Sequence, residues 1–283
     1  MSVIELKHKN KQTGLSLIEL LIATSIGIFL LSGIATSYIS SIKSSSNRDQ
    51  FSVLEDNAQI ALEAITNTLE HTGYPSTSNK TLVNRFVERK AGIVSETCGV
   101  HNSVLDRTIY PTDTTIDNKT SGVETGDSIT GVFYGDANFF TDCTGGQLPL
   151  DCRVGTTSDS DTAKIYSTFF LDKTNNTLMC AGSRTNRAEP IAEGVENIQF
   201  LYGVDTGDDL IADRYINATD LFNSGLQDKV ISIQVAILVH SLLPVHTKKE
   251  QRTYTLLDTS YTAPNDRKQR KVFTTTIRVR NTL

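Results

Sequence analysis

The first 74 residues of the chain contain no proline, the residue that most strongly interrupts a helix. Within this stretch, the twenty residues from Leu20 to Ile39 also carry no charged side chain. At about 1.5 Å per residue, such a segment forms about 30 Å of helix, which is the thickness of the hydrocarbon core of a bilayer. The two absences together predict one long N-terminal helix whose first part spans a membrane.

The segment from Met1 to Gly14 precedes the apolar run and carries three lysines and a histidine against Glu5. This excess of positive charge predicts that Gly14 lies on the cytoplasmic side. An ordinary secretory signal has a small-residue cleavage site after its apolar core, and no such A-x-A pattern follows here. Glu19 places a carboxylate at the start of the apolar segment, where an unpaired charge costs at least about 2.5 kcal/mol. We therefore expect Glu19 to have a partner and a function.

Beyond the apolar run, apolar residues recur at spacings typical of one face of a helix. They are Phe51, Leu54, Ala58, Ala61, Leu62, Ile65 and Leu69. Gly73-Tyr74-Pro75 predicts the end of the helix. A single stripe of this length favours packing of the helix onto a sheet, and a coiled-coil stalk is the alternative.

The rest of the chain is predicted to be rich in β-structure, because Val, Ile, Phe, Tyr and Thr are concentrated in short segments. These segments are 127–134, 164–171, 196–202, 230–240 and 272–280. In 230–240, Ile and Val alternate on one face while Ser232 and Gln234 point away. The sequence therefore divides into a leader (1–14), a membrane-spanning half-helix (15–40), an amphipathic soluble half-helix (41–73) and a β-rich globular domain (74–283).

The four cysteines, Cys98, Cys143, Cys152 and Cys180, all lie beyond the apolar segment. An even number of cysteines outside the cytoplasm predicts two disulfides, for which three connectivities exist. Free buried thiols are the alternative. A zinc site is disfavoured because there is no C-x-x-C pair and the five histidines are scattered.

Four carboxylates are concentrated in the segment 205–213, on Asp205, Asp208, Asp209 and Asp213. Oxygen ligands at short spacing beside a glycine suit Ca²⁺. The spacing matches an EF-hand loop only in part, because the glycine comes early and no glutamate closes the segment. The alternative, which these departures favour, is a solvated acidic turn with no cofactor.

A formal net charge of -5 and a pI of about 5.6 argue against nucleic acid as a main partner. The one basic cluster, 267–271, is interpreted as a solvated turn. The sequence contains no G-x-S-x-G, P-loop or H-E-x-x-H pattern. Nothing in it points to an enzyme, and we predict a protein without catalytic activity.

The N-terminal pattern resembles the type III signal of type IV prepilins, in which cleavage follows a glycine and a glutamate stands fifth in the mature chain. The resemblance implies that a prepilin peptidase cuts between Gly14 and Leu15 and methylates the new terminus at Leu15. Glu19 is then the fifth residue. Leu15 departs from the phenylalanine that is usual at the first mature position.

Three later segments resemble PilW-type minor pilins. They are the G-V-E to Y-G-V-D stretch in 193–205, the ending 270–281, and the pairing of 142–145 with 178–180. The resemblance implies an α+β, pilin-like fold in which a long N-terminal helix packs on an antiparallel sheet. It also implies a disulfide between Cys143 and Cys180, which leaves Cys98 with Cys152. The alternative pairs nearest neighbours, Cys143 with Cys152, and leaves Cys98 with Cys180.

By this resemblance, the chain is expected to be a minor pilin that takes part in initiation and assembly of type IV pili, in the tip complex, with roles in twitching motility and cell adhesion. Expected partners are other minor pilins, the major pilin, prepilin peptidase and the inner-membrane assembly platform. The expected location is the bacterial inner membrane, with a periplasmic globular domain, and then the pilus surface. A minor pseudopilin of type II secretion and a membrane-anchored enzyme or receptor are the alternatives. Glu19 is expected to pair with the free amino group at Leu15 of a neighbouring pilin.

Overall fold

A computed structural model describes residues 16–75, 126–153, 163–182 and 188–281. The chain divides into two compact units, Met1–Asp49 and Gln50–Leu283. One helix, α1 (Leu17–Leu69), supplies the described part of the first unit apart from Ser16, and it continues into the beginning of the second unit. The predicted boundary at residues 40/41 concerns the edge of a lipid bilayer and stays a prediction.

In the first unit, the apolar side chains of α1 are exposed, as in Leu17, Phe29 and Ile39. By length and composition, this helix is able to cross a membrane. Four of its hydroxyl groups bond to carbonyl oxygens of the preceding turn, as Thr24 Oγ1 does to Leu20 O at 3.0 Å; they belong to Thr24, Ser25, Ser32 and Thr36. Such bonds let hydroxyl side chains lie in an apolar environment without an unsatisfied polar group.

In the second unit, α1 buries one narrow face in the main hydrophobic core. The buried members are Leu54, Ala58, Ala61, Ile65 and Leu69. Phe51 and Leu62, which the periodicity places on the same stripe, lie at its margin and stay partly exposed. The helix ends as predicted, because Gly73 takes a left-handed φ of 82° and its N–H donates to Val132 O at 2.8 Å.

The described strands form two four-stranded antiparallel sheets and one hairpin. The first sheet has the order β1-β2-β3-β4, the second has the order β10-β7-β5-β6, and β8 pairs with β9. Their bounds are β1 Ile129–Tyr134, β2 Lys164–Asp172, β3 Thr177–Gly182, β4 Ala188–Glu193, β5 Val195–Val204, β6 Arg214–Ile216, β7 Val230–His240, β8 Thr253–Leu256, β9 Thr259–Thr262 and β10 Arg270–Arg278. All five predicted strand segments are present, and the predicted α+β fold is confirmed.

The burial of both faces of β7 explains why the sequence of this strand is almost continuously apolar. Ile233 and Val235 face the main core, together with the stripe of α1. The opposite face carries Ala236 and Leu238, which pack under Leu256 of the β8–β9 hairpin. A strand buried on both faces loses the polar alternation that marks a half-exposed strand.

A second helix, α2 (Ala218–Ser224), lies between β6 and β7. Asn217 caps it by accepting the N–H of Asp220 at 2.9 Å, and Gly225 closes it with a φ of 66°. This short helix was not predicted from the sequence.

Candidate functional site

The N-terminus of α1 places Glu19 at the third helical position, after Ser16 at the cap. The backbone N–H of Ser16 donates to Glu19 Oε2 at 3.1 Å. This bond is half of a capping box, and a negative charge in the first turn also interacts favourably with the helix dipole. Gly14 and Leu15 lie outside the described residues, so their cleavage and methylation stay predictions.

The surroundings of Glu19 are apolar and open. Its neighbours Leu17, Ile18 and Leu20 are all exposed, and no basic side chain among the described residues pairs with the Glu19 carboxylate. The first basic residue further along α1 is Lys43, 24 positions away, or about 36 Å of helix. In a bilayer, a cation for Glu19 must therefore come from a part of the chain outside the described residues or from another molecule.

Cys143 and Cys180 form a disulfide, with their Cα atoms 6.3 Å apart. The pairing implied by the family resemblance is confirmed at this bond, and the nearest-neighbour alternative, Cys143 with Cys152, is wrong. Cys152 is also disulfide-bonded. Cys98 lies outside the described residues, so its predicted pairing stays a prediction.

The loop that carries Cys143 is fixed by its own aspartate as well as by the disulfide. Asp142 Oδ1 accepts the backbone N–H groups of Thr144 and Gly146 at 3.0 and 2.9 Å. The N–H of Cys143 donates to Ser167 Oγ of β2 at 3.1 Å. The D-C-T-G segment is therefore a compact turn attached to two neighbouring strands, which accounts for its residue types.

Two of the segments that carry the family resemblance meet in a buried ion pair. Arg270, the first residue of β10, donates from Nε and Nη2 to the two carboxylate oxygens of Glu196 on β5, at 2.5 and 3.2 Å. Both side chains are 4% exposed. Arg270 also donates to both carboxylate oxygens of Asp266 at 2.7 Å, and Tyr261 OH donates to Glu196 at 3.3 Å. The four residues tie β5, β9 and β10 together.

The electrostatics of this cluster favour the charged forms of Arg270 and Asp266. Burial opposes the charge on Arg270, but its bonds to Asp266 and Glu196 outweigh that effect and raise the pKa of Arg270. Hydrogen bonds from the Arg270 side chain hold the pKa of Asp266 below its ordinary value. A bidentate arginine with two carboxylates fixes both distance and orientation, so the cluster is suited to set the register of the strands.

His240 lies at the end of β7, beside the cluster, and is buried. Its Nδ1 is 3.0 Å from Ser241 O, and Lys268 Nζ is 3.5 Å from the ring nitrogens. Burial lowers the pKa of His240, and the ammonium group of Lys268 lowers it further. We expect a neutral His240 at neutral pH. Both residues line an open polar cleft of about 480 Å³ with the β2–β3 turn.

The four aspartates of 205–213 are engaged by protein donors. Asp205 is buried and accepts the N–H of Leu210 at 2.7 Å, and Asp213 accepts the N–H and hydroxyl of Thr206 at 2.7 and 2.6 Å. The carboxylate of Asp209 accepts the N–H of Ile211 at 2.9 Å, and Asp208 pairs with Lys229. Among the described residues, no three acidic, histidine or cysteine side chains are placed together to hold a metal ion. Binding of Ca²⁺ here would exchange these bonds for ion contacts, and it stays a prediction.

Two ion pairs that sequence reasoning missed join β10 and the residues after it to α1 and the turn that follows it. Lys271 Nζ lies 2.7 Å from Glu55 Oε1, and Arg280 Nη2 lies 2.6 Å from Glu70 Oε2. Asn281 adds a bond from Nδ2 to His71 O at 3.4 Å. The partners are more than 200 residues apart in the chain, so no local pattern could have indicated them.

Comparison with known proteins finds a family model that matches part of the chain and a similar solved structure. Residues 166–281 match the family model of type IV pilus-assembly protein W, which confirms the resemblance predicted from the sequence. Among solved structures, the chain is similar to a type IV-like pilin, TTHA1219 from Thermus thermophilus. That likeness has a TM-score of 0.31 and 14% sequence identity and covers 63% of this chain and 91% of that chain. A comparison with curated proteins finds no match.

Proposed function

We propose that the chain is a minor pilin, a structural subunit that takes part in initiation and assembly of type IV pili. The observation that carries the proposal is the PilW match in 166–281 on a chain whose α1 leaves the apolar side chains of its first half exposed. Such a surface needs lipid or other apolar helices around it, and a pilin uses both in turn.

The mechanism follows from the two environments of α1. Before assembly, the first half of the helix lies in the hydrocarbon core, and in a fibre it packs among the equivalent helices of other subunits. Both surroundings are apolar, so the transfer between them involves little loss of apolar contact. It also gives little preference for one axial offset over another, because apolar helices slide past each other at small cost.

Glu19 supplies the missing register. Its Oε2 is engaged by Ser16, and its Oε1 makes no hydrogen bond to any described residue. After cleavage at Gly14, the amino group at Leu15 of a neighbouring pilin is a cation of suitable size, four positions before the glutamate and so about 6 Å from its level along the helix axis. A buried ion pair between them selects a single offset, because every other offset leaves both charges unpaired.

The remaining roles belong to the same proposal. Prepilin peptidase would cut and methylate the chain at the cytoplasmic face, and the inner-membrane assembly platform would then extract it together with other minor pilins and the major pilin. The globular domain would be periplasmic and later part of the pilus. Its Cys143–Cys180 disulfide supports an oxidising compartment for this domain.

Deletion of the gene tests the proposal against a role in type II secretion. We expect loss of surface pili and of natural transformation, with protein secretion intact and restoration by the wild-type gene. A strain that keeps its pili but loses secretion would instead identify a minor pseudopilin. A strain with both processes intact would contradict either assembly role.

A further inference from the structure

A surface of mixed character lies where the segment after β7 meets the segment before β10. We call it the basic-apolar patch and define it by Leu242, Leu243, Lys248, Lys249 and Arg267. The two segments are held together by the backbone, since the N–H groups of residues 245 and 246 both donate to the carbonyl oxygen of residue 267 at 2.9 Å. The patch is therefore part of the folded second unit.

The side chains of the patch are exposed and, within the described residues, electrostatically unpaired. Leu242 is 37% exposed and Leu243 is 58% exposed. Lys248, Lys249 and Arg267 are exposed too, and none of them is in an ion pair with a described residue. Nearby cations differ in this respect, since Arg252 pairs with Glu250 and Lys271 pairs with Glu55.

The patch adjoins the residue at which the second unit begins. The N–H of Leu243 donates to Gln50 Oε1 at 2.8 Å. Ile42, the last large exposed apolar residue before Gln50, is eight positions earlier, which is about 12 Å of helix. A membrane that holds α1 therefore tethers the patch through a connection of only eight residue positions.

We infer that the basic-apolar patch binds anionic phospholipid headgroups of the membrane in which α1 is anchored, an inference that rests on the proposed function for that anchor. Lysine and arginine at a membrane surface are attracted to anionic lipids, and exposed leucines beside them insert into the boundary between headgroups and acyl chains. Covalent attachment through α1 keeps the patch near the surface at high effective concentration, so weak binding suffices. Docking would hold the globular domain against the bilayer until the subunit enters a fibre.

The test uses the full-length chain in nanodiscs of phosphatidylcholine, with or without phosphatidylglycerol, containing a trace of phospholipid with a photoreactive headgroup. Mass spectrometry of peptides after illumination locates the labelled residues. We expect labelling of the peptides that carry residues 242–249 and 267, and we expect it to increase when phosphatidylglycerol is present. In K248Q/K249Q, the equilibrium constant for docking of the patch on the membrane should fall roughly fivefold for each lysine removed.

The matched control is R214Q/R278Q, which removes two exposed cations at the other end of the second sheet and should leave labelling unchanged. Labelling that is independent of phosphatidylglycerol, or equal in K248Q/K249Q and wild type, would overturn the inference. Unchanged labelling with reduced recovery of K248Q/K249Q in sheared pili would also overturn it, and would assign the patch to an acidic partner subunit. The nanodisc assay requires only insertion of α1, so its result is independent of whether the deletion strain loses pili.

Discussion

Arg270 at the start of β10 reaches past the end of β7 to bind Glu196 on β5, and both side chains are almost fully buried. Asp266 binds the same guanidinium through Nη1 and Nη2. Removing Arg270 therefore leaves two carboxylates without their cation, whereas removing the charge of Glu196 leaves Arg270 with one carboxylate. This asymmetry gives an ordered prediction.

We predict that Arg270→Met destabilises the protein more than Glu196→Gln. The loss of one partner of a buried pair typically costs about 3–5 kcal/mol, and the Glu196 variant should fall below that range because Asp266 remains. Chemical denaturation of the full-length protein in detergent, followed by tyrosine fluorescence, measures both variants. Equal losses below about 1 kcal/mol would show that the cluster does not hold the sheet together.

We predict a pH dependence of stability that depends on His240. Burial and Lys268 lower its pKa in the folded protein, so the unfolded chain binds the proton more readily. The stability contributed by neutral His240 is complete above the ordinary pKa of 6.5 and declines as the pH falls from that value toward the lower pKa of the folded state. For wild type, the denaturation midpoint measured between about pH 5 and pH 8 should decrease toward the acid end of that range.

His240→Gln is the variant that isolates this effect, since glutamine keeps a polar side chain but does not titrate. Its midpoints should change less between neutral and mildly acid pH than those of wild type. His246→Gln is the matched control, because it removes a second histidine from the same part of the chain at a position that is less buried than His240. An acid-side decline of the same size in His240→Gln would assign the dependence to other groups.

We predict that non-reducing peptide mapping finds Cys143 linked to Cys180. The bond closes a loop with a sequence separation of 37, for which chain-entropy arguments give about 3–4 kcal/mol of stabilisation. The C143S/C180S variant should lose an amount of that order while its loop keeps the Asp142 hydrogen bonds. A map that linked Cys143 to Cys152 would contradict the structure.

We predict that the membrane-extracted protein begins at Leu15 and carries one N-methyl group. Gly14→Val should block cleavage, because a side chain at the scissile bond obstructs the close fit of an extended chain in the peptidase. Intact mass measurement distinguishes the products. A wild-type chain that still begins at Met1 would refute the predicted processing.

Much of the fold could be predicted from the sequence, because its strongest patterns are local. The apolar stripe of α1 repeats over about five helical turns. The five predicted strands lie in segments that are rich in the β-branched residues Val, Ile and Thr. The strands that were missed, such as β8 and β9, are four-residue segments whose Thr and Ser side chains resemble those of loops. The caps of α2, Asn217 and Gly225, were visible in the sequence, but seven residues are too few to show a helical period.

The contacts at the candidate sites were less predictable, because they join distant residues. Arg270 and Glu196 are separated by 74 residues, and the segment containing Arg270 was interpreted as a solvated turn. The structure corrects that interpretation for Arg270, which is buried, while Arg267 in the same segment is exposed. Charge alone does not distinguish the two: Arg270 is buried at the start of β10, whereas Arg267 precedes that strand and is exposed.

The central claim, that the charge of Glu19 selects the register of assembly, is tested most directly by recovery of Glu19→Gln in sheared pili. Glutamine at the third helical position retains the capping hydrogen bond to Ser16 but cannot pair with an amino group. We predict that Glu19→Gln and Glu19→Ala reach the wild-type membrane level and are cleaved normally, yet are recovered in pili at least about tenfold less, as expected if even 1.4 kcal/mol of pairing is lost. Normal recovery of Glu19→Gln with loss of Glu19→Ala would show that Glu19 acts only as a helix cap, and would contradict the account.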